Sequence, residues 1–338
     1  MKIRQKILPL LLAAALLAGC TAPADTSVQT AQTPQSARTD TLQVVATIYP
    51  VYDWVRQVVG EDAPGVEVTL LQDGGTDLHS YQPSAADLAA IADCDLLVYV
   101  GGASDAWVED ALQNAANPER RTLDLMELLG TRVYEEETVE GMQPEEDHDG
   151  HDHEEGETDE HIWTSLRNAA ELSTAIADTL AQLDPDNARQ YTERAADYSA
   201  ELTALDAEYA AVVEQAPVKT LLFGDRFPFR YLVEDYGLAY YAAFPGCSAE
   251  TEASFETVAF LSEKLQELNL PAVLTIEGSD GKIAQTIRQN AGGSCQVLTL
   301  DSLQGTTAAD AARGVTYLSV MQQNLTVLRQ ALGAGEAA

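Results

Sequence analysis

The stretch SAADLAAIADCDLLVYVG, from Ser84 to Gly101, contains two structural signals in direct succession. From Ser84 to Asp93 the apolar side chains follow the spacing typical of an amphipathic helix. From Asp95 to Gly101 a short run of apolar and β-branched residues is typical of a buried strand. A helix that leads directly into a buried strand indicates an α/β protein.

The same alternation continues on both sides of this stretch. Each half of the chain contains four apolar, β-rich runs, and helical patterns lie between them. This order predicts two lobes, each with a parallel sheet covered by helices on both faces, and ligands then bind beyond the carboxyl ends of the strands. The predicted strands are Gln43–Tyr49, Val66–Gln72, Asp95–Gly101 and a weaker Thr122–Leu128, then Val218–Gly224, Leu238–Phe244, Ala272–Gly278 and Gln296–Asp301; the predicted helices include Ser84–Asp93, Asp105–Asn114, Phe255–Leu268, Lys282–Gln289 and Ala308–Leu332.

Two long amphipathic helical patterns, Ile162–Leu183 and Ala188–Glu214, connect the predicted lobes. The short segment Asp184-Pro185-Asp186 separates them. Because a helical connection is stiffer than extended strands, we expect limited closure of the lobes instead of a wide clamshell motion.

The composition excludes one large class of function. The chain has 338 residues, of which 46% are hydrophobic, and this is enough for two packed domains. Its 54 acidic residues against 19 basic ones give a formal charge of −35 at pH 7. A surface this acidic is repelled by phosphate backbones, so we exclude nucleic acid as a partner and expect a metal cation or a cationic partner.

The N-terminus has the features of a secretory signal. Three basic residues within Met1–Lys6 precede the apolar stretch Ile7–Leu17, which ends in Leu-Ala-Gly-Cys20. This ending resembles the bacterial lipobox and implies a chain lipidated on Cys20 and tethered outside the cytoplasm. An ordinary signal peptide, cleaved without lipidation, is the alternative. The predicted organisation is a lipoprotein signal peptide (1–20), a flexible tether (21–42), an N-terminal metal-binding lobe (43–161), linking helices (162–216) and a C-terminal metal-binding lobe (217–334).

The segment Glu135–Glu160 breaks the α/β pattern. It holds 14 acidic residues, no basic residue, and His148, His151 and His153, three of the five histidines of the chain. We interpret it as a solvated, mobile loop that cannot pack a core. Imidazoles beside carboxylates suit borderline cations such as zinc, but the segment could also be a plain solubilising tract.

Three cysteines remain after Cys20, so at most one disulfide can form with one thiol left over. Cys94 is predicted to be a small buried side chain facing an apolar strand. Cys247 and Cys295 both fall at βα junctions of the second half and could pair.

The two remaining histidines lie in predicted interlobe loops. His79 follows the second strand in a polar turn, and His161 precedes the first linking helix. The second lobe offers carboxylates at corresponding strand ends, although an acid there often only caps the next helix. Two imidazoles facing carboxylates across a cleft would form a mixed nitrogen and oxygen site for a divalent cation. The candidate carboxylates are Asp225, Glu277 and Asp301.

No catalytic motif competes with this interpretation. The chain lacks the G-x-S-x-G, H-E-x-x-H and Walker A patterns, and its glycine pairs do not form a nucleotide-binding fingerprint. We therefore predict a protein that is not an enzyme.

Several motifs together resemble a known family. VVATIYPVYDWVRQVVG, GTDLHSYQPSAADLAAIADCDLLVYVGGASDAWVEDAL, EHIW, RYLVEDYGL and VLTLDSL look like the metal-binding lipoproteins of bacterial ABC importers for zinc and manganese, the cluster A-I type. The likeness runs from about residue 43 to 330. It implies two (βα)4-type lobes joined by a long rigid helix, and a His- and acid-rich loop ahead of the second ligand in the zinc members.

The resemblance also implies the metal ligands. His79 matches the first ligand, His161 the second and Asp301 the C-terminal carboxylate. The position of the third ligand, ahead of the F-x-Y-L run, holds Arg226, which cannot bind a cation. Asp225, one residue earlier, is the expected substitute, and Glu277 is a reserve ligand.

Together these features predict an extracytoplasmic, monomeric lipoprotein that captures a divalent transition metal between its lobes and delivers it to an ABC permease with its ATPase. Zinc is the expected cargo. Alternatives are a manganese or iron importer, which the missing third histidine favours, and a metal-binding surface adhesin or chaperone without a permease.

Overall fold

The computed structural model describes residues 41–60, 63, 65–75, 77–113, 116–143, 158–248 and 252–335. The signal peptide with Cys20, nearly all of the tether, and the loop histidines His148, His151 and His153 lie outside the described residues. Among the described helices, none is both long enough and apolar enough to cross a bilayer.

The N-terminal lobe is built on a four-stranded parallel sheet with strand order β2-β1-β3-β4. On its outer face α2 and α3 cover a separate small core that includes Ile91, Cys94 and Leu97. The elements of this lobe are β1 (Leu42–Ala46), α1 (Tyr49–Val59), β2 (Val66–Leu70), α2 (Ala85–Asp93), β3 (Leu96–Tyr99), α3 (Trp107–Leu112), β4 (Arg121–Asp124) and α4 (Leu125–Leu129).

The C-terminal lobe repeats this architecture with a parallel sheet of order β6-β5-β7-β8. Helices α8 and α9 cover its outer face over a second small core that includes Leu261 and Ile287. The predicted α/β fold with two parallel sheets is confirmed. The elements are β5 (Thr220–Arg226), α7 (Arg230–Tyr236), β6 (Ala239–Phe244), α8 (Phe255–Glu267), β7 (Ala272–Thr275), α9 (Lys282–Asn290), β8 (Gln296–Thr299), α10 (Ala308–Ala311) and α11 (Tyr317–Ala331).

The predicted linking helices are α5 (Leu166–Leu183) and α6 (Ala188–Gln215), which pack along each other. Helix α5 lies against α1 of the first lobe, and α6 contacts both α1 and α11. One continuous apolar core joins residues of both lobes to these helices, with Trp54 and Tyr317 in edge contact at 5.4 Å between ring centroids. Since opening the lobes would expose this shared core to water, the packing restricts their relative motion.

Two predicted elements are wrong in their bounds because polar caps interrupt the apolar pattern. The run Thr122–Leu128 is not one strand: the Asp124 side chain accepts the Glu127 N–H at 2.9 Å, which ends β4 and starts α4. The run Ala308–Leu332 is not one helix either. Gly314, with φ of +89°, lies between α10 and α11, and Thr316 caps α11.

The described part of the acidic segment is not the solvated loop that was predicted. Residues 135–143 lie against the C-terminal lobe, where the Gln143 N–H donates to the Ala243 carbonyl at 2.9 Å and Met142 is buried. Glu135 also forms an antiparallel bridge with Thr158. The prediction failed because the partners of this segment come from the other lobe and cannot be found from its own composition.

Candidate metal centre

His79 is held in a short 3-10 turn, Leu78–Ser80, that follows β2 on the side of the sheet where its strands end. The Asp77 side chain caps the turn by accepting the His79 N–H at 3.0 Å. The His79 Nδ1 atom lies 2.8 Å from Ser104 Oγ and 3.5 Å from Glu160 Oε2. These contacts fix the ring with its Nδ1 edge toward protein oxygens, so Nε2 is free to bind elsewhere.

His161 comes from the other end of the lobe and is fully buried, with 0% exposure. Asp159 holds it twice: one carboxylate oxygen accepts the His161 N–H at 2.9 Å and lies 3.1 Å from its Nδ1. The Asp159 backbone is itself fixed, because its carbonyl accepts the Tyr231 hydroxyl at 2.7 Å. A carboxylate behind Nδ1 is the arrangement that orients metal-binding histidines in many proteins.

The two rings meet through their remaining nitrogens. His79 Nε2 and His161 Nε2 are 3.3 Å apart. Two nitrogens bound to one tetrahedral zinc at about 2.0–2.1 Å are separated by roughly 3.3–3.4 Å. The pair therefore already has the spacing that one zinc ion between the rings requires.

The surroundings of the two histidines disfavour protonation of both rings at the same time. Burial, followed by the charge of the neighbouring His161, lowers the pKa of His79 to about 4. Burial alone would also lower the pKa of His161, but the charge and hydrogen bond of Asp159 outweigh it and raise this pKa. The site thus favours a single positive charge between the rings, which a metal cation can replace.

A third donor atom lies beside the two histidines. One potential ligand atom each from His79, His161 and Cys247 lie within 4.8 Å of one another, and no other such group occurs among the described residues. Burial, followed by the charge of Glu136, raises the pKa of the Cys247 thiol. Sequence reasoning considered Cys247 only as a possible disulfide partner of Cys295, although its position after a strand of the second lobe was a usable signal for a ligand.

Asp225 is not part of this group. Strand β5 runs two residues beyond its predicted end, with an irregular register between Phe223 and Arg226, and so includes Asp225. The Asp225 carboxylate accepts the N–H of Arg226 at 3.0 Å. The predicted shift of the turn, which would have brought this carboxylate to the third ligand position, does not occur because the chain there is in the sheet.

Glu277 and Asp301 also lie outside the group. Glu277 accepts hydrogen bonds at 2.6–3.3 Å from the backbone of Ser302, Gln304 and Gly305 and from the Ser302 hydroxyl, so it serves to hold this loop. Asp301 accepts the Leu303 N–H at 2.7 Å, and burial together with the charge of Glu277 raises its pKa to about 6. Both carboxylates line an interlobe cleft of about 900 Å³, together with Asp77, Asp225 and Arg226.

The possible disulfide between Cys247 and Cys295 is not formed, since both cysteines are free thiols. Cys247 follows the carboxyl end of β6, whereas Cys295 precedes the amino end of β8 and packs against the outer core. In a parallel sheet these are opposite edges, and a four-residue strand at about 3.3 Å per residue keeps them beyond the reach of a disulfide. The sequence alone does not exclude the pair, because both positions count as βα junctions.

Comparisons with known proteins agree with this geometry. Residues 44–331 match the family model described as "Zinc-uptake complex component A periplasmic", ZnuA. The chain is 34% identical over 297 residues to the zinc-binding lipoprotein AdcA of Streptococcus pneumoniae, covering 86% of this chain but only 55% of that protein. It is 29% identical over 293 residues to the high-affinity zinc uptake system protein ZnuA of Bacillus subtilis, covering 87% of this chain and 88% of that one.

The fold comparison gives the same result. The solved structure of the Zn(II)-bound ZnuA-like domain of Streptococcus pneumoniae AdcA matches with a TM-score of 0.67 and 30% identity, covering 86% of this chain and 99% of that one. The two-sheet fold, the paired histidines and the family match over most of the chain show that this protein belongs to the ZnuA family of zinc-uptake components.

Proposed function

We propose that this chain captures zinc between its two lobes and delivers it to an ABC permease. The observation that carries the proposal is the 3.3 Å separation of the two imidazole Nε2 atoms, each ring being oriented by oxygens at its Nδ1 edge. Neutral imidazoles beside carboxylates suit borderline divalent cations. The names of the zinc-binding relatives support zinc as the cargo, and the chain spans just over half the length of AdcA.

The shared core suggests how the cargo is held. The lobes are joined across the cleft by the Arg226–Asp77 ion pair at 2.6 Å and by the Ala308 N–H, which donates to Asp73 at 2.6 Å. We propose that zinc enters and leaves through small movements of the loops at this cleft, since large movements would break these contacts and the core.

We further propose that the chain acts as a monomer on the outer face of the membrane, anchored through lipid on Cys20. The lipobox-like ending at Cys20 and the lipoprotein relative support the anchor. A permease and its ATPase are the implied partners, and the role is binding and delivery of a cation instead of catalysis.

Zinc and manganese can be distinguished in one pair of measurements. We expect zinc to displace Mn(II) from the purified full-length chain in competition titration, because imidazole nitrogen prefers zinc. The same order of raw affinity holds for many sites, so uptake must be measured too. In cells that lack the gene, we expect the chain to restore uptake of radioactive zinc and not of manganese or iron. Restored uptake of manganese or iron would instead support the alternative cargo.

Asp159 provides a test of the metal centre that leaves both imidazoles in place. In Asp159→Ala the His161 ring loses its orienting carboxylate, and we expect zinc affinity to fall about 10- to 100-fold. Asp159→Asn is the matched control, because its amide oxygen can still accept the proton of Nδ1 and should retain most of the affinity. Equal affinity in Asp159→Ala and the unmodified chain, measured by chelator competition, would argue against His161 as a ligand.

A further inference from the structure

The proposed function leaves the third ligand open, and the inference below rests on that function. Two imidazoles are fewer than the protein ligands usually found at a zinc site. The position where the family resemblance places another donor holds Arg226. Its guanidinium is paired with Asp77 at 2.6 Å and donates to the Ser248 carbonyl at 3.3 Å, so it is held by the cleft wall and offers no lone pair.

The loop after β6 brings a different donor to the histidines. At Gly246 an added Cβ would lie 3.2 Å from His161 Cε1 and 2.8 Å from the Phe227 carbonyl oxygen. Only glycine therefore lets the backbone pass this close to the ring. The next residue, Cys247, is anchored on its other side, because its N–H donates to Glu136 at 2.9 Å.

We propose that the Cys247 thiolate is the third protein ligand of the metal, in place of the donor that Arg226 cannot supply. Its Sγ is the third member of the group within 4.8 Å. With a Zn–S bond of about 2.3 Å and a Zn–N bond of about 2.0–2.1 Å, the sulfur and nitrogen atoms of a tetrahedral site lie roughly 3.5 Å apart. A local adjustment of about 1 Å in the cysteine side chain meets this requirement.

Metal binding replaces the proton of the Cys247 thiol. The S–H bond breaks, its proton passes to water, and a Zn–S bond forms, so the ion gains one negative ligand beside two neutral ones. One further donor, water included, completes the tetrahedron. Glu136 lies in the acidic segment of the first lobe, and Cys247 lies in the loop after β6 of the second lobe. The hydrogen bond between them therefore positions Cys247 only when the two lobes are together.

A thiolate ligand changes the metal selectivity expected for this site. The absence of a third histidine favours manganese or iron, but a thiolate does not. Sulfur ligands favour zinc and other soft or borderline ions, whereas manganese prefers oxygen. Arg226 at the expected ligand position therefore does not indicate a manganese protein, because Cys247 replaces a nitrogen donor by a softer one.

The test uses cobalt(II) as a spectroscopic probe in the purified full-length chain. We expect cobalt to produce a sulfur-to-metal charge-transfer band in the near ultraviolet, and zinc to remove the band by displacement. Cys247→Ser should lose the band and bind zinc at least about 100-fold more weakly, the upper end of what loss of an outer-shell partner costs. Cys295→Ser is the matched control and should retain both the band and the affinity.

The outcomes separate this inference from the proposed function. Zinc bound at the histidines without a charge-transfer band, and with unchanged affinity in Cys247→Ser, would overturn the thiolate ligand and leave the function intact. Failure of the unmodified chain to bind zinc would overturn both. Unfolding curves of the metal-free variants show whether Cys247→Ser folds, and the band of the unmodified chain tests the ligand without any substitution.

Discussion

Replacing His79 and His161 together by alanine abolishes tight zinc binding, which is the largest effect on function that we expect. Zinc sites with four ligands are worth about 10–16 kcal/mol. If each imidazole supplies about a quarter of this, the double variant loses at least 5 kcal/mol, or more than about 1,000-fold in Kd. Chelator competition on the full-length chain measures the loss.

A matched control comes from the acidic loop. His151→Ala removes an imidazole that the sequence analysis assigns to the acidic loop and not to the predicted ligands, so the tight site should keep its Kd. Folding of the double variant is checked by its unfolding transition, which should remain cooperative, because alanine keeps the backbone N–H groups that bond to Asp77 and Asp159. Tight zinc binding that survives in the double variant would refute the metal centre.

Replacing Trp163 by alanine produces the largest loss of stability that we expect, about 3–5 kcal/mol in the free energy of unfolding. Trp163 is 0% exposed, and its indole N–H donates to the Ser302 carbonyl at 2.7 Å. Its own carbonyl accepts the Tyr317 hydroxyl at 2.7 Å. The substitution therefore leaves a large cavity at the junction of the two lobes, and the Ser302 carbonyl loses its hydrogen-bond donor.

The same variant should also weaken zinc binding, because the Trp163 ring packs beside His161 at 5.2 Å between centroids. Urea unfolding followed by fluorescence or circular dichroism measures the stability, and Phe255→Ala is the control, since Phe255 is 81% exposed. A change below about 1 kcal/mol in Trp163→Ala would contradict the packing described here.

Zinc itself links the two predictions. A ligand that binds only the folded chain raises the free energy of unfolding by about 2.7 kcal/mol at a concentration 100 times its Kd. This increment should disappear in the double histidine variant, whereas in Trp163→Ala it should remain but be smaller at the same zinc concentration.

Local patterns in the sequence predicted the architecture well, because strand and helix periodicity reflect burial within a single element. They correctly indicated both parallel sheets and the two long helices between them. They failed at Asp124, whose side chain caps α4 and ends the strand before it. They also failed at Gly314, whose positive φ separates α10 from α11. They also missed the packing of residues 135–143 of the acidic segment, whose contacts lie on the other lobe.

The sequence by itself determined that this chain folds as two parallel-sheet lobes. It also determined that His79 lies in a loop after a strand and that His161 lies just before the long helices. Only the tertiary structure decided which donors meet. It brought the two Nε2 atoms to 3.3 Å, kept Asp225, Glu277 and Asp301 out of their group, and placed Cys247 beside them instead of near Cys295. The physical reason is that periodicity reports which face of an element is buried, whereas the distance between two loops depends on how distant segments pack against each other.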